Sequence, residues 1–264
     1  STYLGGTSYQ GAIAIILDAS ERPIVTGITD SRDFPTTAGA YQTRIASFEY
    51  DSFVTILDTD ASKLIASTFL GGGGEDETQR LGIGPDGGVL VCGDTYSDDF
   101  PTTPGAEQTS INGEQDAFVS TLSSDLKMLT QSTYLGGSDY DWANGIAFDG
   151  NHTVYVGGYT FSTDFTVTSD AYQSQSGGGV DGFLCKFILD SLPPVADAGD
   201  DVTIDQHQSV ELNGSRSSDN LGVLNWTWTF RYNGSDVALY GPVHSFQFDV
   251  AGRYTVTLTV SDIA

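Results

Sequence analysis

A six-residue phrase returns almost unchanged three times along this chain: Ser1-Thr2-Tyr3-Leu4-Gly5-Gly6, Ser67-Thr68-Phe69-Leu70-Gly71-Gly72 and Ser132-Thr133-Tyr134-Leu135-Gly136-Gly137. The offsets are 66 and 65 residues, and a period that regular means one supersecondary unit stacked several times. The rest of the unit repeats too. Asp33-Phe34-Pro35-Thr36-Thr37 returns as Asp99-Phe100-Pro101-Thr102-Thr103 and, more weakly, as Asp164-Phe165-Thr166-Val167-Thr168. Gly39-Ala40-Tyr41-Gln42 is matched by Gly105-Ala106-Glu107-Gln108 and less fully by Asp170-Ala171-Tyr172-Gln173. A strand-like run opening with aspartate follows each time: Asp51-Ser52-Phe53-Val54, Asp116-Ala117-Phe118-Val119 and Asp181-Gly182-Phe183-Leu184. The copies occupy residues 1–66, 67–131 and 132–190.

Each copy holds four short runs of β-branched and aromatic residues, separated by Gly, Asp, Asn and Pro, the pattern of strands and tight turns. In the third copy these are 145–148, 154–159 and 183–188, preceded by 131–135. No stretch carries helical periodicity over a useful length. Four antiparallel strands per unit at this spacing predict one blade of a β-propeller. The units resemble the SBBP repeat, the seven-bladed β-propeller type of secreted bacterial and archaeal proteins. That resemblance implies a propeller fold and an extracellular setting, and no established activity. Three copies are fewer than the four to eight blades that usually close a ring.

The third copy ends at Asp190 without a hexapeptide after it, whereas the chain opens with a hexapeptide that has no blade before it. The strand Ser1, Thr2, Tyr3 and Leu4 is therefore spare. It can close a ring in cis, add to a neighbouring subunit in trans, or mark where a larger protein was cut. A start at Ser1, with no methionine or leader, suits a processed or excised portion of a longer polypeptide.

Past a linker at 191–194 the composition changes, and residues 195–264 read as a second all-β module. Tyr254, Val256, Leu258 and Val260 alternate with Thr255, Thr257 and Thr259 as a half-buried strand does, and Trp226, Trp228 and Phe230 place three rings on one face. The module resembles the PKD domain, an immunoglobulin-like sandwich of surface proteins and secreted hydrolases. The matching residues are Pro194-Val195-Ala196-Asp197-Ala198-Gly199, Leu212-Asn213-Gly214-Ser215, Ser217-Ser218-Asp219-Asn220, Trp226-Thr227-Trp228-Thr229-Phe230 and the run from Gly252 to Val260. It departs from the usual Trp-Asp-Phe-Gly-Asp-Gly at Trp228-Thr229-Phe230-Arg231-Tyr232. The expected fold class is all-β: a propeller-like array of three four-stranded blades, then an immunoglobulin-like β-sandwich.

With 35 acidic against 10 basic residues and a net charge of −25, the surface repels phosphate backbones, which excludes nucleic acid as a partner. No run of about 18 apolar residues exists to span a membrane. Such acidity suits divalent cations or a crowded envelope, and it also keeps β-rich chains soluble and unstacked. Sequons at Asn151, Asn213, Asn225 and Asn233 allow glycosylation, with Asn225 opposite the tryptophan face and so toward solvent. Cys92 and Cys185 lack a Cys-X-X-Cys partner or a nearby histidine; no disulfide is expected of them.

For structural calcium, the one cofactor this pattern suits, the candidate ligands are Asp219 with Asn220 and Asp197 in the second module, and Asp58 with Asp60 in a hairpin turn of the first. No Asp-X-Asp-X-Asp-Gly loop is present. The repeated Asp33, Asp99 and Asp164 and Asp51, Asp116 and Asp181 occur in every copy, as residues that pin turns do. His152, His207 and His244 are scattered, and neither a Gly-X-Ser-X-Gly elbow nor a phosphate loop occurs. The expected function is a noncatalytic extracellular or cell-surface protein, a structural or adhesive part of an envelope layer or filament. Its expected partners are copies of itself or other envelope proteins, with glycans a further class. The alternative is a carbohydrate-binding or spacer region of a larger secreted hydrolase, with Trp226, Trp228, Tyr232 and Tyr240 as sugar platforms where exposed.

Overall fold

The computed structural model describes residues 1–84, 87–150, 152–189, 194–219 and 222–262, and among them the chain has sixteen strands and no α-helix. It divides into two compact units, Ser1–Leu189 and Asp190–Ala264.

The first unit holds three antiparallel sheets. One is β1 (Gln10–Leu17), β2 (Pro23–Thr29), β3 (Asp51–Leu57) and β4 (Leu64–Leu70), in that order. The next is β5 (Asp76–Ile83), β6 (Val89–Thr95), β7 (Asp116–Leu122) and β8 (Leu129–Leu135), again in chain order. The last is β9 (Asp141–Phe148), β10 (Thr153–Thr160) and β11 (Asp181–Ile188), with β11 at its edge. Each meandering sheet is a blade, but the repeat is offset from the sheets. The second hexapeptide lies in β4 and pairs with β3, Phe53 facing Phe69 and Thr55 facing Ser67. The third lies in β8 and pairs with β7, Phe118 facing Tyr134 and Ser120 facing Ser132. A hexapeptide thus completes the sheet of the copy before it. The third sheet accordingly has three strands, and residues 1–6 belong to none.

In the middle sheet β6 and β7 are buried along their whole length, on both faces, and the run Val89-Leu90-Val91-Cys92 is accordingly apolar without alternation. Val89 and Val91 of β6 join Ile24, Val54, Ile56, Leu70 and Phe118 in a core shared with the first sheet. The alternate residues Leu90 and Cys92 join Val154, Val156 and Leu135 in a core shared with the third. Leu70 and Leu135, the hexapeptide leucines, sit in these two inter-sheet cores. Burying such a side chain contributes roughly 1.5–3 kcal/mol.

In the second unit β12 (Ser209–Asn213) pairs with β15 (Val243–Gln247), while β13 (Asn225–Tyr232) lies between β14 (Ser235–Tyr240) and β16 (Thr257–Ser261). Trp228, Phe230, Leu212 and Leu258 form the core, with Trp226, Val210 and Phe246 packed on it. Both indoles are satisfied, Trp226 Nε1 donating to Gly214 O at 3.0 Å and Trp228 Nε1 to Gly241 O at 3.1 Å. The alternating run expected from Tyr254 joins the ladder only at Thr257. Tyr254 is held instead by its side chain, stacked on Phe248 with its hydroxyl donating to Val250 O at 2.7 Å.

Candidate functional site

The repeated residues form a latch around the end of each fourth strand. Asp51 accepts from the amides of Ala46 and Ser47 at 2.8 and 3.2 Å and from Gln42 Nε2 at 3.2 Å, closing the loop ahead of β3. Asp116 does the same with Asn112, Gly113 and Gln108. The glutamine then reaches across to the hexapeptide: Gln42 Oε1 accepts from Gly71 N at 3.1 Å and Gln108 Oε1 from Gly136 N at 3.0 Å. From the other side Asp33, Asp99 and Asp164 accept the amides of Thr7, Gly73 and Ser138 at 2.9, 2.6 and 2.8 Å. The adjacent phenylalanine stacks on the sheet, Phe34 on Phe53 and Phe100 on Phe118, both with centroids 4.4 Å apart. The hexapeptide aromatic completes each trio, Phe69 and Tyr134 lying 5.9 Å from Phe34 and Phe100. The first glycine of the Gly-Gly pair has no room for a side chain, since a Cβ at Gly71 would stand 2.6 Å from Asp76 Oδ2.

A third repeated acid was hidden from sequence comparison. Four residues after the second glycine, Asp76 Oδ2 accepts from Gly72 N at 2.7 Å and Ser97 Oγ at 2.9 Å, and Asp141 Oδ2 from Gly137 N and Ser162 Oγ at 2.8 and 2.9 Å. In the first copy Gln10 fills the role, its Oε1 accepting from Gly6 N and Ser31 Oγ, both at 2.9 Å. That exchange of Asp for Gln broke the match. Burial pushes the carboxyls of Asp51, Asp116 and Asp141 above the usual carboxylate range, and that of Asp76 up to about 7.

In the third copy the latch stands open. Phe165 stacks on Phe183 at 4.6 Å, yet among the described residues no third ring covers them, and there the amide nitrogen of Gln173 donates to Gln175 O alone, at 2.9 Å. Asp181 is only half buried and is held below the carboxylate range by the Ser176 hydroxyl and the Gly177 amide. Where β3 and β7 are buried throughout, β11 alternates, leaving Leu184 at 73% and Ile188 at 45% exposure. At the other end of the first unit Tyr3 is fully exposed, while Leu4 packs beside Phe34, Phe53 and Phe69 on the first sheet.

The remaining predicted site residues are dispersed. Asp58 closes the β3–β4 turn by accepting from Ser62 N, Ser62 Oγ and Lys63 N, with Asp60 exposed beside it. Asp197 accepts from Gly199 N and Arg216 Nη2 at 2.9 and 3.0 Å, and Asp219 from Gly222 N at 3.0 Å. Asn220 and the sequon residue Asn151 lie outside the described residues. Among the described residues no three His, Cys, Asp or Glu side chains gather as a metal site. Asn213, Asn225 and Asn233 are all exposed, Asn233 at the tip of the β13–β14 hairpin. Cys92 and Cys185 are free thiols. Trp228 is in the core at 1% exposure, Trp226 and Tyr232 are packed on that core, and only Tyr240 of the expected platforms is open, at 73%.

Among the described residues no helix is long and apolar enough to cross a membrane. A family model described as a PKD domain matches residues 191–264, and one described as a β-propeller repeat, SBBP, matches residues 132–166. No curated protein matches the chain. The chain carries an SBBP β-propeller repeat followed by a PKD domain, an immunoglobulin-like module, and this pairing fits an extracellular or surface protein.

Proposed function

We propose that this chain is a noncatalytic structural or adhesive part of a cell-surface layer or extracellular filament, assembling when residues 1–4 of one copy become the fourth strand on β11 of the next. The observation that carries this reading is the open latch of the third sheet. Its vacant strand position calls for the sequence that residues 1–6 repeat. Transferring the register of the first two sheets pairs Leu4 with Gly182, Tyr3 with Phe183, Thr2 with Leu184 and Ser1 with Cys185. Tyr3 then supplies the missing ring over Phe165 and Phe183, and Gly5 N meets Gln173 Oε1. Leu4 keeps its contact with its own first sheet and bridges to the neighbour, as Leu70 and Leu135 bridge sheets within the chain. Strand addition satisfies the free edge with main-chain hydrogen bonds and hides an aggregation-prone surface. Two copies joined in both directions hold six sheets, within the four to eight that close a ring; a rotation that does not close gives an open filament.

The test uses the native thiol. In the complete sheets the residues equivalent to Ser1 and Cys185 touch through their side chains, Thr55 Oγ1 and Ser67 Oγ at 2.8 Å and Ser120 Oγ and Ser132 Oγ at 2.8 Å. Ser1→Cys is therefore expected to form a disulfide with Cys185. Burial pushes the Cys185 thiol up to about 11, so a copper–phenanthroline oxidant at mildly alkaline pH is used. Linked dimers or a ladder of multimers on a non-reducing gel, absent when Cys185→Ser is added, support assembly in trans. A monomer with both thiols consumed means closure in cis and favours the spacer or accessory reading; two thiols left free refute the strand pairing.

A further inference from the structure

A pocket of about 250 Å³ opens at the level where β5 begins, its wall including Glu75, Glu77, Asp94, Tyr96, Gln115 and Trp142. Unlike the latch, it is not a property of the repeat. The cross-strand pair that follows the latch acid is Gly11 with Ile28 in the first sheet and Trp142 with Tyr159 in the third, but Glu77 with Asp94 in the second. Two carboxylates placed directly opposite on neighbouring strands repel one another. Asp94 is also buried at 4% exposure, and burial together with the charges of Glu77 and Glu75 pushes its carboxyl up to about 7. Glu75 is raised in turn by burial and by Glu49.

A separate observation shows what is missing. Gln115 is 3% exposed, and its Nε2 donates to Asp94 Oδ2 at 2.5 Å, which leaves Oε1 as a buried acceptor with no donor among the described residues. Such an atom costs about 1–3 kcal/mol unless something supplies a hydrogen bond. The site thus offers carboxyl groups and an amide oxygen, and among the described residues no ion pair reaches Glu75, Glu77 or Asp94. Aromatic side chains flank it: Tyr50, Tyr96 and Trp142 lie in the wall, and Trp142 packs against Tyr140 and Tyr159 with centroids 5.6 and 4.9 Å away. Among the described residues these carboxylates do not gather as a metal site. Carboxyl and amide oxygens with aromatic side chains beside them suit a cation that carries N–H groups on an apolar stem.

We propose that this pocket binds a primary ammonium or guanidinium group on an aliphatic stem, the end of a lysine or arginine side chain or a free amine of the same chemistry. Isothermal titration of the full chain at fixed ionic strength tests it, with N-acetyl-lysine methylamide, N-acetyl-arginine methylamide, 1,4-diaminobutane, tetramethylammonium and calcium chloride as probes. The expected result is saturable binding of an N–H cation at one site per chain, with tetramethylammonium, which has no donor for Gln115, and calcium at least about tenfold weaker. Tighter binding of the capped amino acids points to a partner protein's side chain, and tighter binding of the diamine to a free amine. Glu77→Gln is expected to weaken binding by about tenfold while leaving the fold intact, since it removes a repulsion; Glu107→Gln, an exposed charge outside the pocket, is expected to change it by less than about twofold. Unsaturable binding, equal binding of tetramethylammonium, or equal losses in the two variants overturns the proposal.

Discussion

Replacing Asp76 by asparagine separates a buried acid that holds its proton from one that is charged. The carboxyl is fully buried, and burial outweighs the three hydrogen bonds donated to it by Thr95 Oγ1, Gly72 N and Ser97 Oγ, so its pKa rises from 3.8 to about 7. In the unfolded chain the group titrates near 3.9, roughly the model-peptide value. Between those values the folded protein keeps a proton that the unfolded chain has lost. Its contribution to stability is therefore complete below about pH 4 and disappears as the pH climbs through about 7. Three pKa units at about 1.4 kcal/mol each set an upper figure of about 4 kcal/mol, a slope approaching one proton. Asparagine can keep the acceptor for Gly72 and Ser97 and turn its amide toward Thr95, and Gln10 already does the equivalent in the first copy. Urea titrations followed by circular dichroism at half-unit pH steps, at fixed ionic strength, give the two stability curves. Asp76→Asn is expected to have the shallower curve and to gain steadily on the native chain from pH 4.5 to 7.5. Parallel curves, whichever lies higher, would mean that Asp76 is ionised in the folded state and that its hydrogen bonds win over burial.

Phe118→Ala removes a ring with no solvent exposure from the core between the first two sheets, 4.4 Å from Phe100, and is expected to cost about 3–5 kcal/mol in denaturant titrations; a loss below about 1 kcal/mol would show that this core is loosely packed. Asn233→Ala places a Cβ residue without a helpful side chain at φ 51°, beside Gly234 at φ 83°, in a two-residue hairpin turn of the primed type. It is expected to destabilise the second unit by about 1–2 kcal/mol in thermal unfolding, and no change would show that the turn relaxes to another type. The Ser1→Cys crosslink and the Glu77→Gln titration test the assembly edge and the pocket independently, because neither residue contributes to the other's site.

Much of the fold was legible because it is written three times. The hexapeptide, the Asp-Phe-Pro-Thr-Thr loop and the aspartate-led strand each recur, and repetition raises short weak patterns above chance. That residues 1–6 have no preceding sheet of their own chain to complete could be read from the offset alone. Less was legible about the acids. Asp33 and Asp51 repeat visibly, but Asp76 and Asp141 share their place with Gln10, and only the common hydrogen bonds to a glycine amide and a serine hydroxyl reveal them as one position. Asp58 stood out as a turn aspartate with oxygens to offer, and the structure shows those oxygens accepting from the amides and hydroxyl of its own turn.

By itself the sequence determined the all-β class, the stacking of three related units, the second sandwich module with Trp228 and Phe230 inside, and the strongly acidic net charge. Those properties depend on alternation, turn chemistry and net charge, which are local or additive along the chain. Tertiary structure decided which sheet each hexapeptide completes, which strand is left open and what meets in the pocket. Glu77 and Asp94 are 17 residues apart and Gln115 a further 21, unremarkable acids and amide in the sequence. Strand pairing sets the two carboxylates face to face, and burial strips Asp94 of the water that would otherwise screen their repulsion.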